Sequence, residues 1–225
     1  MSTEVAELID VHKRFADTEA LRGLSMTVMQ GEIVAVLGPN GAGKTTAMNL
    51  LLGLRQPDQG TVRLYGQDPR NWCARRNIGV TPQDTDFPEA LISREIIELV
   101  RTHFPKPAST SDLIERFGLE GFVDRQTGGL SGGQKRRLAL ALAFAGNPDV
   151  AFLGEPTTGL DPGVRRDFWR TMKDFANQGG TLLLTTHYLE EAEALASRVV
   201  LIDRGQILME GNVEEIRAQV GLMRV

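Results

Sequence analysis

One cysteine in 225 residues, Cys73, cannot form an internal disulfide or build a thiolate metal centre, so the chain reads as suited to a reducing compartment. Lysine is almost as sparse. Lys13, Lys44, Lys106, Lys135 and Lys173 are the full set, and the other basic residues are arginine. No excess of positive charge exists either: 29 acids against 25 bases give a net charge of −4, which lacks the electrostatic footprint of a dedicated nucleic-acid binder. Long hydrophobic runs are missing as well. The longest stretch free of Asp, Glu, Lys and Arg, residues 175–189, includes Asn177, Gly179, Gly180 and His187. It falls short of the roughly 20 mainly apolar residues of a spanning helix, so a membrane role is expected only through a partner. The opening MSTEVAELIDVHKRF carries acids and no apolar core, so a secretory signal is not expected.

What is present is ordinary globular material, 41% hydrophobic and 24% charged, at a length that suits one large domain or one domain with an insertion. The first third reads as strands over 6–11, 24–28 and 33–37, the last a continuous apolar run of the kind buried on both faces of a sheet. A glycine-rich loop and a helical pattern ending near Gly53 follow, then short strands over 61–64 and 78–81, the second stopped by Pro82. From Asp84 to Thr127 helices dominate: Ser93 is the expected cap of SREIIELVRTHF, and Thr110 or Ser111 that of DLIERF, which Gly118 closes. Alternation then resumes with strands over 150–153, 181–184 and 199–202 and helices over 163–176 and 188–195. Such alternation predicts an α/β fold with a mainly parallel sheet and ligands at the carboxyl ends of its strands.

Gly38-Pro39-Asn40-Gly41-Ala42-Gly43-Lys44-Thr45 fits the phosphate-binding pattern G-x-x-x-x-G-K-[ST] and lies between the strand and helix that the pattern requires. Its backbone N–H groups and the helix N-terminus can surround phosphates, with Lys44 reaching the β and γ groups and Thr45 a Mg²⁺ ion. A second helix start, Leu130-Ser131-Gly132-Gly133-Gln134, places a hydroxyl and two glycines before KRRLALALAF, another anion-seeking end. Alone, it could be a flexible cap.

Together, the two motifs resemble the signature of the ATP-binding cassette (ABC) family, and further matches follow in the family's order. Gln83 is similar to its Q-loop glutamine, residues 150–155 occupy the place of its Walker B strand, Gly159-Leu160-Asp161 resembles its D-loop, and His187 in LLTTHYLEEAEALA resembles its switch histidine. The resemblance implies a P-loop NTPase (RecA-like) core with an N-terminal antiparallel β part, over about 1–83 and 148–225, and a helical subdomain over about 84–147. It implies ATP and Mg²⁺ as ligands. The implied nucleotide contacts are the loop residues Gly38 to Thr45, Thr46, Phe15 as an adenine platform, Gln134 and Asp161, and Ser131 and Gly133 acting across a head-to-tail dimer. Lys44, Gln83, Glu155 and His187 are the implied catalytic set, with Glu155 as general base and Thr45 and Gln83 as metal ligands. Phe15 in isolation reads as a core aromatic, and a lone histidine after a strand is often structural.

One position departs from the family pattern, which has Asp before Glu at the Walker B strand end. Here the sequence reads Phe152-Leu153-Gly154-Glu155, and Gly154 has no carboxylate to hold Mg²⁺ or its water. Asp149 is at the other end of that strand, and Asp161 already matches the D-loop. The expected function is the ATP-hydrolysing subunit of a membrane transporter, most like bacterial drug or antibiotic exporters. It would be cytoplasmic, pair with a second copy, and sit on the inner face of the membrane through a separate permease. The alternative is a nucleotide-gated binding module that hydrolyses poorly because of Gly154.

Overall fold

The computed structural model describes residues 3–222. The chain begins with strands β1 (Glu4–Phe15), β2 (Thr18–Met29) and β3 (Ile33–Leu37), helix α1 (Lys44–Leu51) and strand β4 (Gln59–Leu64). It continues through β5 (Ile78–Thr81), α2 (Ser93–Arg101), α3 (Thr110–Phe117), α4 (Gly132–Ala143), β6 (Val150–Gly154) and α5 (Pro162–Asn177). The last part holds β7 (Thr181–Thr186), α6 (Leu189–Leu195), β8 (Arg198–Asp203), β9 (Gln206–Gly211) and α7 (Val213–Leu222). These elements form two compact units, one of Met1–Arg76 with Thr181–Val225 and one of Asn77–Gly180. No helix among the described residues is long and apolar enough to cross a membrane.

In the first unit β1 pairs antiparallel with both β2 and β4. Leu8, Leu21, Leu24 and Leu64 on these strands and Leu50 and Leu51 of α1 are fully buried, and each such side chain stabilises the unit by roughly 1.5–3 kcal/mol. Strand β3 runs parallel between β7 and β8, and every residue of β3 and β7 is buried, as the continuous apolar run predicts. The Arg198 guanidinium ties the amino end of this group together. It bonds Glu32 bidentately (2.6 and 2.8 Å), Glu210, and the Thr27 carbonyl. Strand β9 was not expected from the sequence. It returns from β8 through Arg204-Gly205, both at positive φ (46° and 79°), the geometry of a tight hairpin turn, but written here without the usual Asn-Gly.

In the second unit β5 and β6 run parallel, and Phe144 packs against Phe117 (5.3 Å between centroids) and edge-on against Phe175 (5.1 Å). Two expected caps are corrected here. Helix α2 starts at Ser93, not after it: Ile92 is the N-cap, its N–H bonded to the Glu95 carboxylate (2.8 Å), while the buried Ser93 hydroxyl donates to the Arg125 carbonyl (3.3 Å). A tertiary partner has taken the hydroxyl. The cap of α3 is Ser109, whose Oγ accepts from the Asp112 N–H (3.1 Å), and Thr110 and Ser111 lie inside the helix. Gly118 closes α3 at φ 62°, as expected.

Candidate functional site

The carboxyl ends of two parallel strand pairs gather most of the residues singled out above. In the first unit Leu37 of β3 is in register with Thr186 of β7, so the chain leaves both strands side by side, into Gly38 on one and into His187 on the other. The phosphate loop therefore starts beside the histidine. The loop turns into α1 at Gly43, with φ 108°, where an added Cβ would lie 2.7 Å from the Ala20 carbonyl oxygen and 2.9 Å from a Leu21 methyl. No other residue fits that place.

Lys44, only 5% exposed, donates to the carbonyls of Gly38 (2.8 Å) and Pro39 (3.1 Å), which holds its ammonium group inside the curve of the loop. Pro39, Asn40, Gly41 and Thr45 are exposed, Ala42 is buried, and Thr46 is half-buried. His187 is exposed, with its ring 4.0 Å from that of Tyr188. Phe15 ends β1 and is 41% exposed, which removes the core-aromatic reading. It pairs with Thr18 across the hairpin, two residues before the Ala20 that abuts Gly43. Lys13 lies 5.5 Å from its ring centroid and is anchored by Asp58 (2.7 Å).

In the second unit Thr81 of β5 is in register with Leu153 of β6, so Pro82-Gln83 and Gly154-Glu155 leave the strands side by side in the same way. Gln83 is exposed and Glu155 is 7% exposed. Glu155 has φ 46°, a left-handed conformation that costs a non-glycine residue about 1–3 kcal/mol and persists only where surroundings enforce it. Its carboxylate accepts from the Thr158 hydroxyl (3.3 Å). At Gly154 an added Cβ would lie 2.9 Å from the Gln83 backbone nitrogen. The missing carboxylate thus has a structural correlate: the Gln83 backbone crowds the space where such a side chain would begin. Asp149, at the opposite end of β6, accepts from the Asn77 amide (3.1 Å).

Ser131 caps α4, its Oγ accepting from the Gln134 N–H (3.2 Å) while the Gln134 side chain accepts from the Ser131 N–H (2.9 Å). This reciprocal box fixes the helix start. An added Cβ on Gly133 would lie 3.2 Å from the Gly159 carbonyl, so the glycine pair and the 159–161 turn are neighbours. Asp161 is exposed and caps α5, with Pro162 in the first helical position. One residue the sequence reading passed over is Arg136, 7% exposed, which bonds the carbonyls of Pro82, Gln83, Gly154 and Pro156. Its signal was present: Arg136 shares a helical face with the buried Ala139, Leu140 and Ala143.

The donor chemistry suits Mg²⁺ arriving with a nucleotide. Thr45 in the first unit and Gln83 in the second are both exposed, and each by itself offers a hard, neutral oxygen of the kind Mg²⁺ accepts beside phosphate oxygens. It does not suit an ion held by the chain alone, since the described residues contain no cluster of three or more His, Cys, Asp or Glu able to hold a metal.

A buried lysine in a glycine loop between strand and helix, with the site at the carboxyl ends of parallel strands, defines a P-loop nucleotide-binding fold. The family model described as "ABC transporter" matches residues 21–158. The chain is 43% identical to the Nod factor export ATP-binding protein I of Burkholderia lata, over 90% of this chain and 69% of that protein. It is 40% identical to the daunorubicin resistance ATP-binding protein DrrA3 of Streptomyces coeruleorubidus, over 95% of this chain and 70% of that one. Among solved structures, an ATP-binding subunit of an ABC transporter superposes with a TM-score of 0.85 at 27% identity, covering 97% of this chain and 94% of the other. A dimeric bacterial ABC transporter cassette gives 0.82 at 25% identity, covering 92% and 98%. The chain belongs to the ABC transporter family and is built as its ATP-binding subunit.

Proposed function

We propose that this chain binds ATP with Mg²⁺ and hydrolyses it to drive export through a separate membrane-spanning permease, in a head-to-tail pair with a second copy. It would work on the inner, cytoplasmic face of the cell membrane. The observation that carries the reading is the register of β3 with β7, which starts the phosphate loop and His187 side by side with Lys44 held in the loop. Export, and the kinship with drug or antibiotic exporters, rest on the names of the relatives.

In this reading the loop N–H groups of residues 38–45 and the α1 N-terminus cradle the phosphates. Lys44 meets the β and γ groups, and Thr46 lines the same turn. Phe15 offers its exposed ring to the adenine. Thr45 and Gln83 would hold Mg²⁺, which when bound neutralises phosphate charge and orients the γ-phosphoryl group. Glu155 takes a proton from the attacking water, a contribution of about 10²–10⁴ in rate, and His187 contacts the γ-phosphate. Ser131, Gly133, Gln134 and Asp161 face the nucleotide of the partner copy. We also propose residues 84–147 as the helical subdomain, and 1–83 with 148–225 as the RecA-like core.

A second reading is supported by the crowding at Gly154: a nucleotide-gated module that pairs on ATP but turns it over slowly. Steady-state Mg²⁺-dependent hydrolysis, measured with the permease present, separates the two. Turnover there supports the first; nucleotide-dependent pairing without turnover supports the second.

A further inference from the structure

We infer that Arg136 is the positioning residue of the hydrolytic site, holding the Glu155 backbone in its left-handed conformation and locking Gln83 beside it. The inference rests on the ATPase reading for its kinetic consequence, but its structural content stands on four hydrogen bonds. From inside α4 the guanidinium donates through Nε to Pro156 (3.3 Å), through Nη2 to Gly154, and through Nη1 to Pro82 (2.7 Å) and Gln83 (3.1 Å). Two of these acceptors, the carbonyls of residues 154 and 156, flank Glu155.

A peptide unit cannot rotate freely when the carbonyls on both sides of it are fixed, and this is how a strained φ of 46° is over-determined. The other two acceptors are the first residues to leave β5, so one rigid group joins the ends of both strands. The absence of a Cβ at Gly154 belongs to the same arrangement, because it admits the Gln83 backbone to a distance any side chain would deny. Arginine is needed chemically: its planar fork carries five N–H donors in fixed directions, whereas a lysine ammonium is one point on a flexible stem.

Arg136 touches no reacting atom in this scheme. It acts through Glu155 and Gln83, and a residue that merely filled the core would behave differently. The test uses the full chain carrying Arg136→Lys or, as a second replacement, Arg136→Gln. Amide hydrogen exchange is followed in peptides covering 80–86 and 150–158, alongside ATP turnover and fluorescent-nucleotide affinity. Exchange at those two segments should accelerate in the Arg136→Lys chain while α5 stays protected. Turnover should fall on the order of tenfold or more, with KM and nucleotide affinity within about twofold, a loss confined to the chemical step.

Single-turnover hydrolysis in a Glu155→Gln background provides the cross-check. There, Arg136→Lys should add little, since the group it positions no longer works as a base. Unchanged exchange at both segments overturns the inference, as does a loss that multiplies in full in the Glu155→Gln background or one that appears equally in affinity and Tm. Failure of the ATPase reading would look different: no turnover in the unaltered protein, with the exchange result still deciding whether Arg136 holds the two segments.

Discussion

Two strand ends in this protein are built to the same plan and filled in opposite ways. At the end of β3 and β7, register places Gly38 beside His187, Gly43 lets the loop pack closely against Ala20 and Leu21, and the loop carbonyls hold a buried lysine. At the end of β5 and β6, Gln83 lies beside Gly154, which clears space for backbone, with an arginine fixing the carbonyls around it. The first end is organised to receive something from outside. The second is organised to hold one acidic side chain, Glu155, in a conformation it would not adopt unaided. Charge follows the same division, since the first end holds a buried cation, Lys44, and the second a buried carboxylate, Glu155.

Substitutions at the two ends should separate cleanly between chemistry and binding. The largest expected effect is at Glu155. Glu155→Gln keeps the shape of the site but cannot accept the proton of water, so turnover should drop by about 10²–10⁴ with nucleotide affinity retained. ATP should then persist in a pair of copies, which light scattering detects as a dimer at nucleotide concentrations well above the affinity. Loss of affinity equal to the loss of rate would erase the distinction between the two ends.

The next effect is the mirror image. Lys44→Ala removes the ammonium that the loop carbonyls hold in place. A hydrogen bond to a charged group contributes about 1.5–3 kcal/mol, so nucleotide affinity should fall roughly ten- to a hundredfold. Titration with a fluorescent nucleotide measures it directly, and unchanged binding would remove the first end from the site altogether.

Gly154 calls for a pair of variants, because the structure divides the expected consequence of a missing acid into two parts. Any side chain there meets the Gln83 nitrogen at 2.9 Å, and overpacking of that kind costs about 1–3 kcal/mol. Gly154→Ala carries that cost alone and should lower both Tm and turnover. Gly154→Asp adds a carboxylate to the same cost. Compared with the alanine variant, not with the unaltered chain, it should raise Mg²⁺-dependent hydrolysis about tenfold and lower the Mg²⁺ needed for half-maximal rate. Equal rates and equal Mg²⁺ dependence in the two variants would mean that this end works without an acid at 154.

The sequence was legible wherever a single element decided the outcome. Strand β3 announced itself because burial on both faces leaves no polar alternation, and Gly118 because αL is open to glycine at a helix end. The phosphate loop was legible because its chemistry is local and its flanking strand and helix are its own. Tertiary decisions were hidden. Ser93 looked like a cap until the Arg125 carbonyl claimed its hydroxyl, and β9 went unseen because its turn is written Arg-Gly. Arg136 was passed over for a similar reason: a charge in a signature helix reads as surface until four carbonyls from two other segments surround it. The crowding at Gly154 could not be read at all from the chain, since it depends on how closely Gln83 approaches.

The smallest expected effect tests whether function is confined to the carboxyl ends. The amino end of the β3 group is closed by Arg198 and Glu32, whose carboxylate also accepts from the Met29 N–H (3.0 Å). Burial by itself would raise the Glu32 pKa, but the bonds from Arg198 and Met29 outweigh it and bring the net value below the ordinary carboxylate range. A depressed folded-state pKa means that the pair stabilises fully above the unfolded value of about 4.3, and that this stability is lost as pH falls through the folded value. Glu32→Gln should therefore cost about 1.5–3 kcal/mol at neutral pH. At roughly 2–4 °C per kcal/mol for a chain of this size, that is a Tm lower by several degrees. The difference from the unaltered protein should shrink steadily in scans below pH 4. Nucleotide affinity and turnover at 25 °C should stay within about twofold, since neither strand end proposed to carry the chemistry has been touched. A Tm gap that stays constant down to the lowest pH would mean that packing, not the ion pair, closes this end; a large loss of turnover would mean that the two ends of β3 are coupled.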